Sequence, residues 1–517
     1  RMQSFTHDNL GTFWGTAFTI ITKAGALAKL FKVVYSTLAN NRNIVEAGFN
    51  AVSQGAAGVG RFLDSVVLSD AMQESGNNGN KVMKAVLSPL QFAASVTAKL
   101  SGRQIDEKVR TRLREWIRYG LSVGGAEMKE LEDLVVKDAY KSSSDVIIEN
   151  MPDIAKTKRL GRKIEGSVDF FLDNKVQRTA RAIYTGPDDM FKFYIAESEY
   201  RMLVNNEIQE GRIKDGESVP AGLHRKLMKE AVDRANNFTT TRERAYGGVK
   251  TISAIPVMAS FPTFFGEKIR TRVETFKTIR EDLKSGEKIR VSWAKRKMLL
   301  TAASLAGTVA FAKAITSMFY DDEEQEGLRN MLPPYRRNNV IMWYKVGDEH
   351  AYIDLSNTFS DLWFWQPFIA SLNTKPGEDF ATNFMGELML PFTDKDILWD
   401  RIFDIVNPEE TRVPGYNPLD PIHKRTWANM RHVMWGDEYD GPLMPYMITH
   451  LMRFKRAVME EPNKYGELYD FDMEVISAFS GMRWYKIEGK RALSFFAKDF
   501  RYTWNGIREP VLDEATS

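Results

Sequence analysis

The chain has no cysteine, so disulfides, thiolate metal sites and a cysteine nucleophile are all excluded. Histidine is scarce: among His7, His224, His350, His423, His432 and His450 no two are spaced i, i+4 and none lies in an HExxH pattern, which leaves no zinc set. Excess charge is missing too. A net charge of +3 over 517 residues gives no global case for nucleic-acid binding, so any basic surface has to be local. GxSxG, Walker and dinucleotide-binding patterns are absent, and no carboxylate pair stands where two pKa values would be driven apart. The sequence therefore offers no catalytic, metal or cofactor residue, and a non-enzymatic role is expected. The start carries no secretory signal sequence, and an opening at Arg1 fits a processed product or a part of something longer.

What is present begins with a core. Hydrophobic content of 43% and charge of 27% are ordinary for a folded protein, which excludes a disordered chain. The length suggests about three regions, taken as 1–150, 151–330 and 331–517. The most prominent stretch is Met298 to Tyr320, an almost unbroken apolar and small run with one charge, Lys313. As a helix it would be about 34 Å long, enough to cross a bilayer core. Its flanks are lopsided. Eleven Lys and Arg lie between Glu267 and Lys297, whereas Asp321, Asp322, Glu323, Glu324 and Glu326 follow the run. Such asymmetry is what orients a membrane helix. Two readings stand: a membrane-contact helix, through Met298, Leu299, Leu300, Leu305, Val309, Phe311, Ile315 and Phe319, or a helix buried all round in a core.

The other segments read mainly as helices. Leu10 to Asn40 opens on 13 uncharged residues, too short to span a bilayer, and reads as packed. The GAAGVGR stretch lacks the Gly-Lys-Ser/Thr ending of a phosphate loop and reads as close helix packing or a bend. Arg103 to Arg118 reads as a basic helix with an apolar stripe, most simply a solvated face balanced by its acids. Arg110, Arg114 and Arg118, with Lys295, Arg296 and Lys297 beside the apolar run, are the candidate contacts to anionic lipid or phosphate. An acidic helix at Ala126–Ile148 and a hinge at Met151-Pro152 come next. A long helix from Leu160 to Asn205 is expected to break at Gly186-Pro187, with Asp188 and Asp189 capping the helix that follows. Ile252 to Phe265 is bent by its prolines. Val340 to Leu355 reads as a β-hairpin turning at Gly347-Asp348. The remainder is dense in Pro and Trp, and NPEETRVPGYNPLDPIHKRTW reads as a strap across another surface, such as a neighbouring subunit. The expected fold is mainly α: an elongated multi-helix assembly with a small hairpin at about 340–355 and an irregular Pro/Trp-rich C-terminal third.

One series of segments has a resemblance. AIYTGPDDMFKFYIAESEYRML, ANNFTTTRERAYGGVKTISAIPVMASFPTFFGEKIRT, EDLKSG before a hydrophobic helix, and LPPYRRNNVIMWYKVGDEHAYIDLS occur in that order between Asp169 and Leu362, about two fifths of the chain. The series resembles the C-terminal regions of very large internal virion (ejection) proteins of short-tailed bacteriophages, including giant virion-packaged polyproteins. The resemblance implies a structural role. Such proteins are stacked inside the capsid above the portal, leave the particle before or with the DNA, and help build a conduit through the host envelope. The partners implied are further copies of the chain, other ejection proteins, the portal and tail, the host membrane, and phage DNA by non-specific contact. The implied location is the virion interior, then the host envelope. Relatives that carry a peptidoglycan-cleaving or RNA polymerase domain leave a second reading open, a non-catalytic encapsidation or translocation tail of a packaged enzyme. A cellular membrane-associated scaffold is the third.

Overall fold

The computed structural model describes residues 34–75, 80–122, 175–240, 244, 262–332, 336–347, 349–359, 362, 367, 381, 384, 420–434, 446–462 and 468–487. The expectations for the opening helix before Val34, the acidic helix 126–148, the Met151-Pro152 hinge, residues 252–261 and the strap before Asp420 lie outside them. The fold is mainly helical with one small antiparallel sheet. The chain forms two compact units, residues 1–301 with 390–481 and residues 302–389 with 482–517.

The first unit is built from α1 (Thr37–Ser53), α2 (Val59–Ser75), α3 (Lys81–Leu87), α4 (Pro89–Leu100), α5 (Glu107–Arg118), α6 (Lys175–Gln209), α7 (Ala221–Phe238) and α8 (Pro262–Lys284). Side chains of Ser36, Asn80 and Asp106 accept from backbone N–H groups at the starts of α1, α3 and α5, so short polar residues set where these helices begin. Arg103 therefore precedes α5 instead of lying on it, and pairs with Asp64 at 2.7 Å. Between α1 and α2, Gly55 (φ +87°) and Gly58 (φ +106°) make a bend. The central element is α6. Ile183, Met190, Phe193, Ile195 and Leu203 are buried on several of its sides, against α1, α2 and α7.

The expected break at Gly186-Pro187 does not occur, because α6 runs straight through Pro187. A mid-helix proline removes an N–H and crowds the preceding turn, costing about 3 kcal/mol. The turn is packed closely against α2. Ser69 Oγ donates to the Gly186 carbonyl and Gln73 Nε2 to the Ala182 carbonyl, both at 3.1 Å. Gly186 admits that approach, since a Cβ there would collide with the amides of Gln73 and Gln91. Asp188 and Asp189 are consequently not helix caps. Both lie mid-helix; Asp189 is buried, and Asp188 lines a cavity of about 50 Å³ with Asn43, Glu46, Lys192 and Lys268. Burial pushes the Asp188 carboxyl above the usual range against the pull of Lys192 and Lys268.

The described C-terminal helices of this unit are α12 (Ile422–Met434), α13 (Tyr446–Met459) and α14 (Phe471–Ser480). Asn41 Nδ2 donates to the carbonyls of Ala478 and Phe479 at 2.8 and 3.2 Å, so a side chain of α1 caps the end of α14.

The second unit contains α10 (Asp322–Asn330), β1 (Ile341–Val346), β2 (Glu349–Asp354), the single turn α11 (Leu355–Thr358) and β3 (Trp484–Lys486). The hairpin forms as expected, with Val346 paired to Glu349 and Gly347 at φ +60°. Three residues are too few to show alternation in the sequence, and β3, which pairs with β2, was not anticipated. Period-two alternation gives the sheet two apolar faces. Ile341, Trp343, Tyr352 and Tyr485 pack with Tyr320 and Leu328 on one; Met342, Ile353 and Trp484 pack with Val340 and Leu355 on the other. The acidic run after the apolar stretch starts α10 as a capping box, Asp321 bonding the Glu324 N–H and Glu324 the Asp321 N–H.

Tyr352 supplies a pH test of this sheet. Burial pushes its phenol up to about 12 despite Arg336, which donates to its oxygen at 2.8 Å. The folded state keeps the proton that an unfolded tyrosine loses near pH 10. Stability is therefore whole below about pH 10 and falls as pH rises toward 12, by roughly 2–3 kcal/mol for a shift of that size. Tyr352→Phe removes that slope; an unchanged alkaline unfolding profile in the variant would contradict the assignment.

Candidate membrane-contact helix

The apolar run is not a helix by itself. It continues the basic segment before it, and the two form α9, Lys288–Ser317, 30 residues long. Gly286 (φ +72°) ends the preceding helix, and the Glu287 carbonyl accepts the first turn's bond from Val291. The Glu287 carboxylate takes bonds from Asn206 (2.7 Å) and Arg212 (3.1 Å). Burial pushes its pKa up, but these bonds outweigh burial and hold it below the usual range. Residues 288–301 belong to the first unit and 302–317 to the second.

The first half is fastened by buried ions. Glu199 of α6, 1% exposed, lies 2.6 Å from Lys297 Nζ and accepts from Trp293 Nε1 at 2.9 Å. Lys297 also sits 3.9 Å from the centre of the Phe238 ring. Around them, Arg234 bonds Asp282 through two nitrogens at 2.7 and 2.8 Å, and Arg290 pairs with Glu230 (3.0 Å) and Glu287 (2.8 Å). Lys297, at 0% side-chain exposure, is thus corrected: it is an internal ion-pair partner and not a surface contact for lipid or phosphate. Lys295 and Arg296 are exposed.

The apolar half is turned inside out. Thr301 and Thr316 are buried, and Ser304 and Thr308 are half-buried; Thr301 donates to the Ser53 carbonyl at 3.2 Å, and Thr316 Oγ1 accepts from the Trp343 N–H at 3.0 Å. Ala302, Ala303, Ala306, Gly307, Ala310 and Ala314 face outward with Leu299 (69% exposed), Phe311 (58%) and Met298. Leu300 and Ile315 are half-buried, Val309 packs beside Ile353 and Leu355, and Phe319 is exposed just past the helix end. Leu305 lies on the helix, its side chain outside the described residues. Among the described residues this is the one helix long and apolar enough to cross a membrane. Its best 18-residue window has a mean hydropathy of 1.6, and 12% of that window is buried. An all-round apolar helix normally lies inside a core; this one does not.

The basic face of α5 takes the solvated form. Arg114 pairs with Glu107 at 2.9 Å, Arg110 approaches Glu74 at 3.9 Å, and Arg118 is exposed in the last turn. Arg112, which was not singled out as a contact, turns inward: its guanidinium bonds Glu197 at 2.8 Å and lies over Trp116 and Tyr200. Next to it Tyr200 Oη meets His224 Nδ1 at 2.7 Å, and His224 Nε2 meets Glu115 at 3.0 Å. Burial pushes the Glu115 carboxyl up, but bonds from His224 and Arg112 leave it below its ordinary range. Among the described residues no three His, Asp or Glu side chains converge to hold a metal. Comparison with protein-family models, with curated proteins and with solved structures returned no match.

Glu199, Arg234 and Asp282 are the residues that sequence reasoning missed. The Glu230–Arg234 spacing of i, i+4 and the Glu287–Arg290 spacing of i, i+3 are local traces of this cluster, but Glu199, Arg234 and Asp282 come from separate helices.

Proposed function

We propose that the chain is a structural, non-catalytic part of an internal virion (ejection) protein of a short-tailed phage, acting as an oligomer in genome delivery through the host envelope. The observation that carries the membrane part of this reading is the exposed apolar surface of α9, held to the protein by its hydroxyls and Lys297. Large exposed apolar surfaces on a folded chain mark sites of contact with a partner or a bilayer. The ordered series of segments between Asp169 and Leu362 supports the phage assignment. In the capsid, the partners in this reading are further copies of the chain, other ejection proteins and the portal. At the host, the apolar face of α9 enters the membrane with Lys295 and Arg296 at one boundary and the acids from Asp321 onward at the other. Contact with DNA is non-specific, consistent with a net charge of +3.

The test is flotation of the full chain with vesicles containing phosphatidylglycerol, followed by alkaline extraction. A chain that floats and resists extraction is the expected result. A chain that stays soluble, or is released by alkali, overturns the membrane role of α9 and leaves a capsid-internal scaffold or encapsidation tail.

A further inference from the structure

We infer that α8 carries a second, peripheral membrane site: a basic-apolar face that docks on an anionic lipid surface. At 100° per residue, Arg272, Val273, Phe276, Lys277, Arg280, Leu283 and Lys284 fall within an arc of about 140° on α8. Val273, Phe276 and Leu283 are exposed, Phe276 at 63%. Lys277, Arg280 and Lys284 are exposed between them, and Arg280 and Lys284 form no ion pair with a described residue. No acid lies inside this arc. Glu274 and Glu281 sit beyond its edge, Glu274 paired with Lys277 at 2.7 Å, while Glu267 and Asp282 are buried on the other side.

Charge complementarity selects the occupant. Arg280 and Lys284, with no ion pair to a described residue, suit a negatively charged surface, and the exposed Phe276, Val273 and Leu283 beside them suit the boundary where headgroups meet acyl chains. Duplex DNA offers the charge without the apolar layer, and an acidic soluble protein offers no continuous plane. The next exposed cations along the chain are Lys288, Lys295 and Arg296. The inference rests on the reading of α9 as the membrane-contact helix, and the two are separable by experiment.

The full chain is mixed with phosphatidylcholine vesicles, with vesicles that also contain phosphatidylglycerol, and with duplex DNA, at low and high salt. Wild type is expected to bind the anionic vesicles, to lose most of that binding at high salt, and to bind neutral vesicles weakly. Lys277→Glu/Arg280→Glu/Lys284→Glu is expected to lower anionic-vesicle partitioning by about a hundredfold. The conservative Lys277→Arg/Arg280→Lys/Lys284→Arg should retain it, and Phe276→Ser should lower it by about tenfold. Unchanged helical circular dichroism shows that these exposed substitutions leave the fold intact. Wild-type affinity in the triple Glu variant overturns the docking face, as does capture of DNA in preference to vesicles. An α9 variant, Ala306→Arg/Ala310→Arg, separates the readings. If it still docks in a salt-sensitive way but no longer resists alkali, both stand. If it resists alkali like wild type, the α9 reading falls and α8 docking remains.

Discussion

Replacing Glu199 by alanine is expected to destabilise the first unit by about 3–5 kcal/mol, the cost of leaving buried charge without its partner. The carboxylate is 1% exposed and sits among Lys297, Arg234 and the Trp293 N–H. Its removal strands an ammonium at 0% side-chain exposure, with a ring face and more distant acids as the remaining compensation. Lys297→Met should cost less, below about 2 kcal/mol, because Glu199 keeps Arg234 and the Trp293 N–H, and the methionine fills the space over Phe238. The double variant Glu199→Ala/Lys297→Met should then be more stable than Glu199→Ala alone, which a double-mutant cycle reads directly. Urea unfolding followed by helical circular dichroism gives the three values. A loss below about 1 kcal/mol for Glu199→Ala would mean that water reaches Lys297 and that the ions do not fasten α9.

That cluster marks where sequence reading stops. Helix and hairpin were legible because their information is local: side-chain periodicity and the Gly347 turn lie within a few residues of what they control. Lys297 was misassigned for the same reason. By neighbours it belongs to the Lys295–Lys297 run, but on a helix it shares a side with Thr301, Ser304 and Thr308 and not with Lys295. The helical angle could have shown that Lys297 turns away from its basic neighbours; its partner, nearly a hundred residues upstream, left no sign in the sequence. Pro187 is the opposite case. The local rule predicted a break, and the helix instead continues while packed against α2, whose Ser69 and Gln73 bond the Gly186 and Ala182 carbonyls, contacts that exist only once α2 lies against α6.

The same geometry makes the second large effect sharp. Ala306 and Ala310 are exposed near the middle of the apolar run, one helical turn apart. In water Ala306→Arg/Ala310→Arg is a surface change worth within about 0.5 kcal/mol per site, and arginine is a good helix former, so folding and solubility should match wild type. In a bilayer each arginine near the helix centre costs about 2.5–3.5 kcal/mol, together about 5–7 kcal/mol, a loss of more than a thousandfold in insertion. Lys313, four residues from the middle of the run, is one such charge already present, and its long side chain eases the cost by reaching toward the headgroups; the two arginines add to it. Few substitutions separate the two environments so widely. A helix exposed only to water would be indifferent to the change, whereas a membrane helix loses alkali-resistant association while the unfolding curve stays in place. Equal resistance to alkaline extraction in variant and wild type would end the membrane reading of α9, and its outward alanines would then need a protein partner.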